Sequence, residues 1–434
     1  MRSLIVTLIV FGMLPAILMR PHLGVYLWSW LGYMNPHRLT WGFAYNFPFA
    51  QLTAIATLAG LFFGKDPKQI PQSPLVGLWA VFVLWMCIAT AFAIDPGHSV
   101  HELTRTLKIQ LMVLITFLLI TDRQKLHILV WVVALSIGFF GIKGGVFALA
   151  TGLSYRVWGP PGSFIEGNNE LALALIMVLP LFRYLQLNTD HKWIKRGLAL
   201  AMILTAASIV ASYSRGAFLA GAAMGFMLWL KSRNKLPIAL ATLVLIGVGI
   251  NFVPDKWFER MSTIETYEED ASAMGRINAW HFAWNLAKDR PLTGGGFDTF
   301  TPELFWKYAP EPSNFHDAHS IYFEILAEQG FVGLFLFLLL WGTTYFICGS
   351  IVRRCKRRED LYWARDLAAM LQVSIVGYAV GGAFLGLAYF DLPYHLLAMT
   401  AVLHHLVKQA GAYDPEPLRA PGAARPRPAR EEAG

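Results

Sequence analysis

His316-Asp-Ala-His-Ser-Ile-Tyr-Phe-Glu-Ile-Leu-Ala-Glu-Gln-Gly-Phe-Val-Gly333 closes the only long hydrophilic loop of a chain that otherwise reads almost entirely as membrane helix. Titratable groups at the lip of a bilayer are costly to hold there, so they serve chemistry or transport more often than stability. Outward from this stretch the 434 residues are 56% hydrophobic and only 15% charged. A soluble domain cannot cover that much apolar surface, whereas lipid can. A spanning helix needs roughly 20 mainly apolar residues. Such segments are expected at 3–19, 44–63, 74–93, 105–121, 127–150, 169–187, 197–212, 216–231, 236–253, 332–352, 367–387 and 391–407. The expected fold is all-α: a polytopic integral membrane protein of about 12 transmembrane helices, with a partly helical outer loop at 254–331.

The net charge of +8 would suit nucleic acid, but its distribution does not. With the N-terminus placed in the cytoplasm, inside loops carry Lys65 and Lys68, Arg123 and Lys125, Lys192, Lys195 and Arg196, and Lys231, Arg233 and Lys235. They also carry Arg353, Arg354, Lys356, Arg357 and Arg358, while the outside loops hold scattered cations such as Arg38, Arg105, Arg156 and Arg215. That asymmetry is the positive-inside signature. It predicts both termini in the cytoplasm, the long loop outside, and no nucleic-acid partner. Cys87 and Cys348 fall in expected spans and Cys355 in an inside loop, so no disulfide framework is implied. Met1 to Met19 has the length of a signal peptide. It lacks a small-residue cleavage site and ends in Arg20-Pro21, and reads as a retained first helix.

Tyr26 to Pro48, rich in Trp and Tyr, is expected to be an interfacial or re-entrant segment on the outer face. Gly and Pro residues punctuate a turn from Trp158 to Glu170, where Asn168, Asn169 and Glu170 suit a helix cap better than sugar binding. Within the long loop, Met274, Ile277, Trp280, Trp284 and Ala287 recur at helical spacing, which predicts a helix over 272–288. Ser272 would be its N-cap, and Pro291 with Gly294-Gly295-Gly296 would end it. A second helix is expected from about Asp317 or His319 to Glu328, with Gly330 as the residue that ends it before a span begins at Phe331. The tail from Tyr413, rich in Pro, Arg and Ala, has no apolar periodicity and is expected to be disordered.

Arg215 sits in Ser212-Tyr-Ser-Arg-Gly-Ala217 on the side where cations are disfavoured. Its planar fork suits phosphate oxygens, and lipid headgroup contact competes equally as an explanation. Arg276 lies near a helix N-terminus, where a cation is disfavoured by roughly 0.3–1 kcal/mol. That points to an anionic partner or to a salt bridge with Glu268, Glu269 or Asp270. His319 is the leading candidate for a general base: an imidazole titrates near neutrality, and the positive end of a helix dipole would keep it neutral. His316, Asp317 and Glu324 lie close to it in sequence. His316 with His319, or His98 with His101, would make metal pairs, but neither has a third ligand, so no metal and no cofactor are expected. There is no Asp-x-Asp pair, P-loop or Gly-x-Ser-x-Gly elbow either.

These residues resemble the O-antigen ligase and polymerase superfamily of bacterial inner-membrane glycan-transfer proteins. The matching pieces are Ser214-Arg-Gly-Ala217, Gly275-Arg276 with Trp280, Asp289-Arg-Pro-Leu-Thr-Gly-Gly-Gly-Phe297, and the run from His319 to Gly333. Trp28-Ser-Trp-Leu-Gly-Tyr-Met-Asn-Pro-His-Arg38 resembles a narrower branch, the O-glycosylation ligases associated with exosortase systems. The resemblance covers about 197–350, the expected catalytic region; the apolar runs put N-terminal membrane helices over 1–196, C-terminal helices over 351–407 and a disordered cytoplasmic tail over 408–434. It implies a glycan taken from undecaprenyl diphosphate and joined to a hydroxyl of a protein or glycolipid outside the cytoplasmic membrane, without metal. His319 would activate the acceptor, Arg215 and Arg276 would hold the diphosphate, and His316, Asp317, Glu324, Glu328 and Trp280 would support them. A polymerase of the same superfamily, and a transporter of lipid-linked glycan, are the alternatives.

Overall fold

The computed structural model describes residues 1–231, 235–236, 254–262 and 271–413. Among them the chain is all-α, with no strand. Its helices are α1 Arg2–Met19, α2 His22–Met34, α3 Phe49–Phe63, α4 Pro74–Ala91, α5 Pro96–Leu119, α6 Arg123–Ala150, α7 Asn168–Leu187 and α8 Lys192–Val210. There follow α9 Arg215–Lys231, α10 Asp255–Ser262, α11 Ala271–Asp289, α12 Pro302–Tyr308, α13 Ile321–Arg354, α14 Tyr362–Gly382 and α15 Asp391–Gln409. Six of these (α1, α4, α6, α7, α8 and α13) are long and apolar enough to cross a membrane, and α3 is apolar but shorter. The protein is a polytopic membrane protein. The other expected spans also fall on helices, except 236–253, which past Leu236 lies outside the described residues, as does the tail from 414.

One core runs from Val25 on α2 to Val407 on α15. Its helices alternate in direction, so the loops gather at two ends. At one end His22 meets Asp66 at 2.6 Å, Gln72 donates to His405, Arg123 lies over Trp363, and Arg358 donates to the carbonyl of Ala410. This is the end that collects Lys65, Lys68, Arg123, Lys125 and Arg353 to Arg358. At the other end Ile94 donates to Gly295, Asn168 donates to Ser212, and Arg38 approaches Gly162.

Two expectations about the N-terminal region are corrected. The aromatic stretch after α1 is not an interfacial segment throughout, because Tyr26 to Tyr33 form the middle of α2 and bury Tyr26, Leu27, Leu31 and Tyr33. Aromatic side chains with a polar tip suit a bundle interior that offers a partner for the tip: Tyr26 donates to the Lys125 carbonyl at 3.0 Å, and Tyr33 shares a hydrogen bond with His395. Because α2 is an additional traverse, the parity changes. Ser3 donates to the Trp41 carbonyl while His22 meets Asp66, so the start of α1 lies at the end opposite the basic loops. The last turn of α15, beside Arg358, lies at the basic end. The termini of the bundle therefore sit at opposite ends, not on one face.

Cysteines placed at Arg2 and at Lys68 in a cysteine-free background are accordingly expected to react with a membrane-impermeant maleimide from opposite faces of sealed vesicles. Labelling of both from one face would contradict this topology.

Candidate active site

The loop before α13 is built around α11. Ala279, Phe282, Ala283 and Leu286 bury one face of α11 in a small core with Phe300, Phe305, Tyr308 and Ala318. The predicted apolar stripe is only partly the buried one: Met274 and Trp284 are exposed, because α12 folds back over the neighbouring face. Trp280 stacks on Phe323 at 5.0 Å, so the helix packs on the bundle through it. Ser272 lies inside α11 and is not its N-cap.

Polar side chains of α11 fix the chain that carries the candidate base. Asn278 donates to the carbonyls of Glu311 and Asn314, each at 2.9 Å, and its own carbonyl accepts from Glu311 N–H. Trp280 Nε1 donates to the Ala318 carbonyl at 2.8 Å, one residue before His319. Gly275 leaves room for the His316 ring, which a β-carbon there would meet at 2.6 Å. So held, His319 takes a left-handed backbone conformation, with φ of +42°. Such a conformation is uncommon for a residue with a β-carbon, and it concentrates at functional sites.

His319 lies ahead of α13, whose N-cap is Ser320. The helix begins at Ile321, two residues later than the latest start expected. Burial pushes the imidazole below its ordinary pKa, the Arg276 guanidinium pushes it further, and Asp317 pulls the other way. The neutrality anticipated from the helix dipole thus has burial as its main cause. Arg276, in the second turn of α11, faces His319 and also the Glu170 carboxylate, and its Nη1 reaches the Phe384 carbonyl at 3.5 Å. Glu268, Glu269 and Asp270, the salt-bridge partners considered for it, lie outside the described residues.

Arg215 opens α9 after a turn in which Tyr213 has φ of +56°. Asn168 does not cap α7; its side chain donates to the Ser212 carbonyl at 2.7 Å and ties that turn to α7. Gly216 lies against Phe384, the residue whose carbonyl Arg276 reaches. The structure thus brings His316, Asp317, His319, Arg276 and the Arg215 turn to one rim. Glu324 accepts from Ala388 N–H at 3.1 Å and Glu328 from Asp298 N–H at 2.8 Å. His98 pairs with Asp298 at 2.5 Å, and among the described residues no three His, Cys, Asp or Glu side chains gather as a metal set.

The Gly294-Gly295-Gly296 turn does more than end α11. Gly295 and Gly296 donate to the carbonyls of Ala327 and Glu328 at 2.8 and 3.0 Å, and Phe331 N–H donates to Pro291. The first part of α13 thereby ends at Gly330, with φ of +69° and ψ of −172°, as the sequence predicted. Asn278, Asp298 and the 383–390 segment went unrecognised as site residues. Their partners are backbone groups distant in sequence, and no short motif marks such contacts.

Fold and site together define an all-α polytopic membrane protein with a polar, cation-bearing site at one rim. Residues 200–338 match the family described as O-Antigen ligase, so that this stretch is similar to the O-antigen ligase superfamily. Residues 1–190 match a family of unknown function (DUF5935). No curated protein matches the chain. A solved chain described under "Structural coordination of polymerization and crosslinking by a peptidoglycan synthase complex" is similar at 19% identity, covering 80% of this chain and 99% of that one, with a TM-score of 0.39. The match over 200–338 supports a ligase- or polymerase-type function.

Gly330→Ala is expected to destabilise the protein. The backbone there is almost exclusive to glycine, which alone costs about 1–3 kcal/mol, and a β-carbon would lie 2.3 Å from the Leu292 carbonyl oxygen. A clear fall of the melting midpoint in detergent is the expected result; an unchanged midpoint would contradict it.

Proposed function

We propose that the protein transfers a glycan from an isoprenoid diphosphate carrier to an acceptor hydroxyl, with His319 as the base and Arg276 and Arg215 as the diphosphate ligands. The observation that carries this reading is the placement of His319 beside Arg276, with its pKa lowered by burial. An apolar groove of about 330 Å³ begins two residues further on, lined by Ile321, Tyr322, Phe337, Trp341 and Tyr378. An isoprenoid tail lying in that groove would bring its diphosphate to the guanidinium groups.

The chemistry required is modest. A diphosphate already leaves well, so the enzyme must activate a poor nucleophile and neutralise the departing charge. His319 takes the proton of the acceptor hydroxyl, the oxygen attacks the anomeric carbon, and the bond from that carbon to the diphosphate breaks. Guanidinium forks aimed at the leaving group supply electrostatic stabilisation, often the largest single contribution. Direct displacement inverts the anomeric centre. The site lies at the end opposite the basic loops, which by the positive-inside rule is the periplasmic face. Assignment to the exosortase-associated branch rests on the run from Trp28 to Arg38 alone. Ligase and polymerase differ only in the acceptor, and both use this donor chemistry.

His319→Ala is expected to lower the transfer rate by about 10²–10⁴-fold, the usual contribution of a positioned base. Retention of most activity would exclude the role. The working form is the neutral imidazole, so the rate should be flat near neutral pH and fall on acidification, with a midpoint below the ordinary value of about 6.5. Asp317 raises the pKa of His319 and Arg276 lowers it. Asp317→Asn should therefore move the acid limb to lower pH and Arg276→Gln to higher pH; shifts in the same direction would refute the assignment.

A further inference from the structure

The turn after α11 leaves large apolar side chains uncovered. Trp284 is 47% and Leu292 63% exposed, and Phe92, the residue that caps α4, is 62% exposed. The contacts around the Gly330 break hold these residues together. Trp284 meets the Phe331 ring edge-on at 5.5 Å, Phe331 N–H donates to the Pro291 carbonyl at 2.9 Å, and the Leu292 carbonyl lies against Gly330. Arg290 donates to the carbonyls of Gly294 and Phe92, which fixes the turn on the end of α4. A cluster of large apolar side chains left exposed marks an interaction surface.

What covers this surface follows from its place on two membrane spans. Along α4, Val81, Leu84, Ile88 and Phe92 are exposed at helical spacing, and along α13 so are Phe335, Leu339 and Phe346. These are the faces that two spans turn to lipid. The turn sits at the same end of both stripes. From Phe331 to Arg353, α13 is about 33 Å long, against a hydrocarbon core about 30 Å thick. Arg353 is exposed among the headgroups of the basic end, so Phe331 and the side chains packed on it fall at the opposite boundary. That boundary is where Trp is favoured. Lys288, one turn beyond Trp284 on α11 and exposed, can reach phosphate from there.

We infer that Trp284, Leu292 and Phe92 form a foot that seats the outer loop in the bilayer leaflet opposite the basic loops, with phospholipid as the partner. A protein partner would interrupt a surface that is continuous with the lipid-facing sides of α4 and α13. The foot acts on the site through α11. Arg276 lies eight residues from Trp284 on that helix, roughly 12 Å along the axis. The helix that carries Arg276 is thereby tied to the depth of the phosphate layer, whatever chemistry the rim performs.

The test uses the full chain with Cys87, Cys348 and Cys355 replaced by Ala, in vesicles of phosphatidylcholine and phosphatidylglycerol. One nitroxide is placed at Leu292→Cys or, independently, at Trp284→Cys. Phe335→Cys, on the lipid face of α13, and Glu311→Cys, at an exposed position, are the references for lipid and water. Both test labels are expected to collide with oxygen as the Phe335→Cys label does. They should lose most of the collisions with water-soluble nickel ethylenediaminediacetate that the Glu311→Cys label makes. Melting midpoints show which variants keep the fold, and either folded label decides the question. Collision with the nickel complex as free as at Glu311→Cys would place the surface in water and overturn the inference. Shielding from both oxygen and nickel would put a protein, or a second copy of the chain, on the surface and overturn it equally. On the unaltered chain, a phospholipid with a diazirine near its headgroup should crosslink within 284–292. Crosslinks on α4 with none in that stretch would contradict the seat without any substitution.

Discussion

The break of α13 at Gly330 is the constraint on which the site depends. A helix that ends at the rim of a bilayer leaves carbonyls that neither lipid nor scarce water can satisfy. Here the turn after α11 supplies the donors: Gly295 and Gly296 bond Ala327 and Glu328, and Phe331 returns a bond to Pro291. That docking sets the direction of the short helix from Ile321 to the break. His319 lies before its first turn and Glu328 in its last.

From this follows how the 383–390 segment is tied to the rim. On one face of the 383–390 segment Arg276 reaches Phe384 and lies near His319. Further along it Ala388 N–H donates to Glu324, and Glu328 accepts from Asp298 N–H. The clamp of Asn278 and Trp280 on residues 311–318 keeps the left-handed His319 backbone in register with Arg276.

Much of this was legible in the residues. The apolar runs gave the all-α membrane class, because hydropathy over a helix length is a local property. The end of the second helix at Gly330 and the gathering of Lys and Arg at one end of the bundle were equally local signals. What escaped was non-local. α2 was hidden because its Tyr and Trp content resembles an interfacial belt, and only the hydrogen bond from Tyr26 to Lys125 and the buried side chains of the helix reveal a traverse. One missed helix reversed the side assigned to the N-terminus. The buried face of α11 was shifted because α12 packs over it, and the roles of Asn278 and Asp298 depend on backbone groups tens of residues away. Glu324 and Glu328 were expected to support His319, and no signal in the sequence marked their partners, the N–H groups of Ala388 and Asp298.

The central claim is that this rim breaks a bond of the carrier lipid. The most direct measurement reconstitutes the purified protein in sealed vesicles with a glycosylated undecaprenyl diphosphate and a hydroxyl acceptor, then follows both carrier and glycan by mass spectrometry. The account predicts free undecaprenyl diphosphate appearing in equal amount with a glycan–acceptor product. Intact lipid-linked glycan redistributed between the two leaflets, with no carrier released, would contradict it.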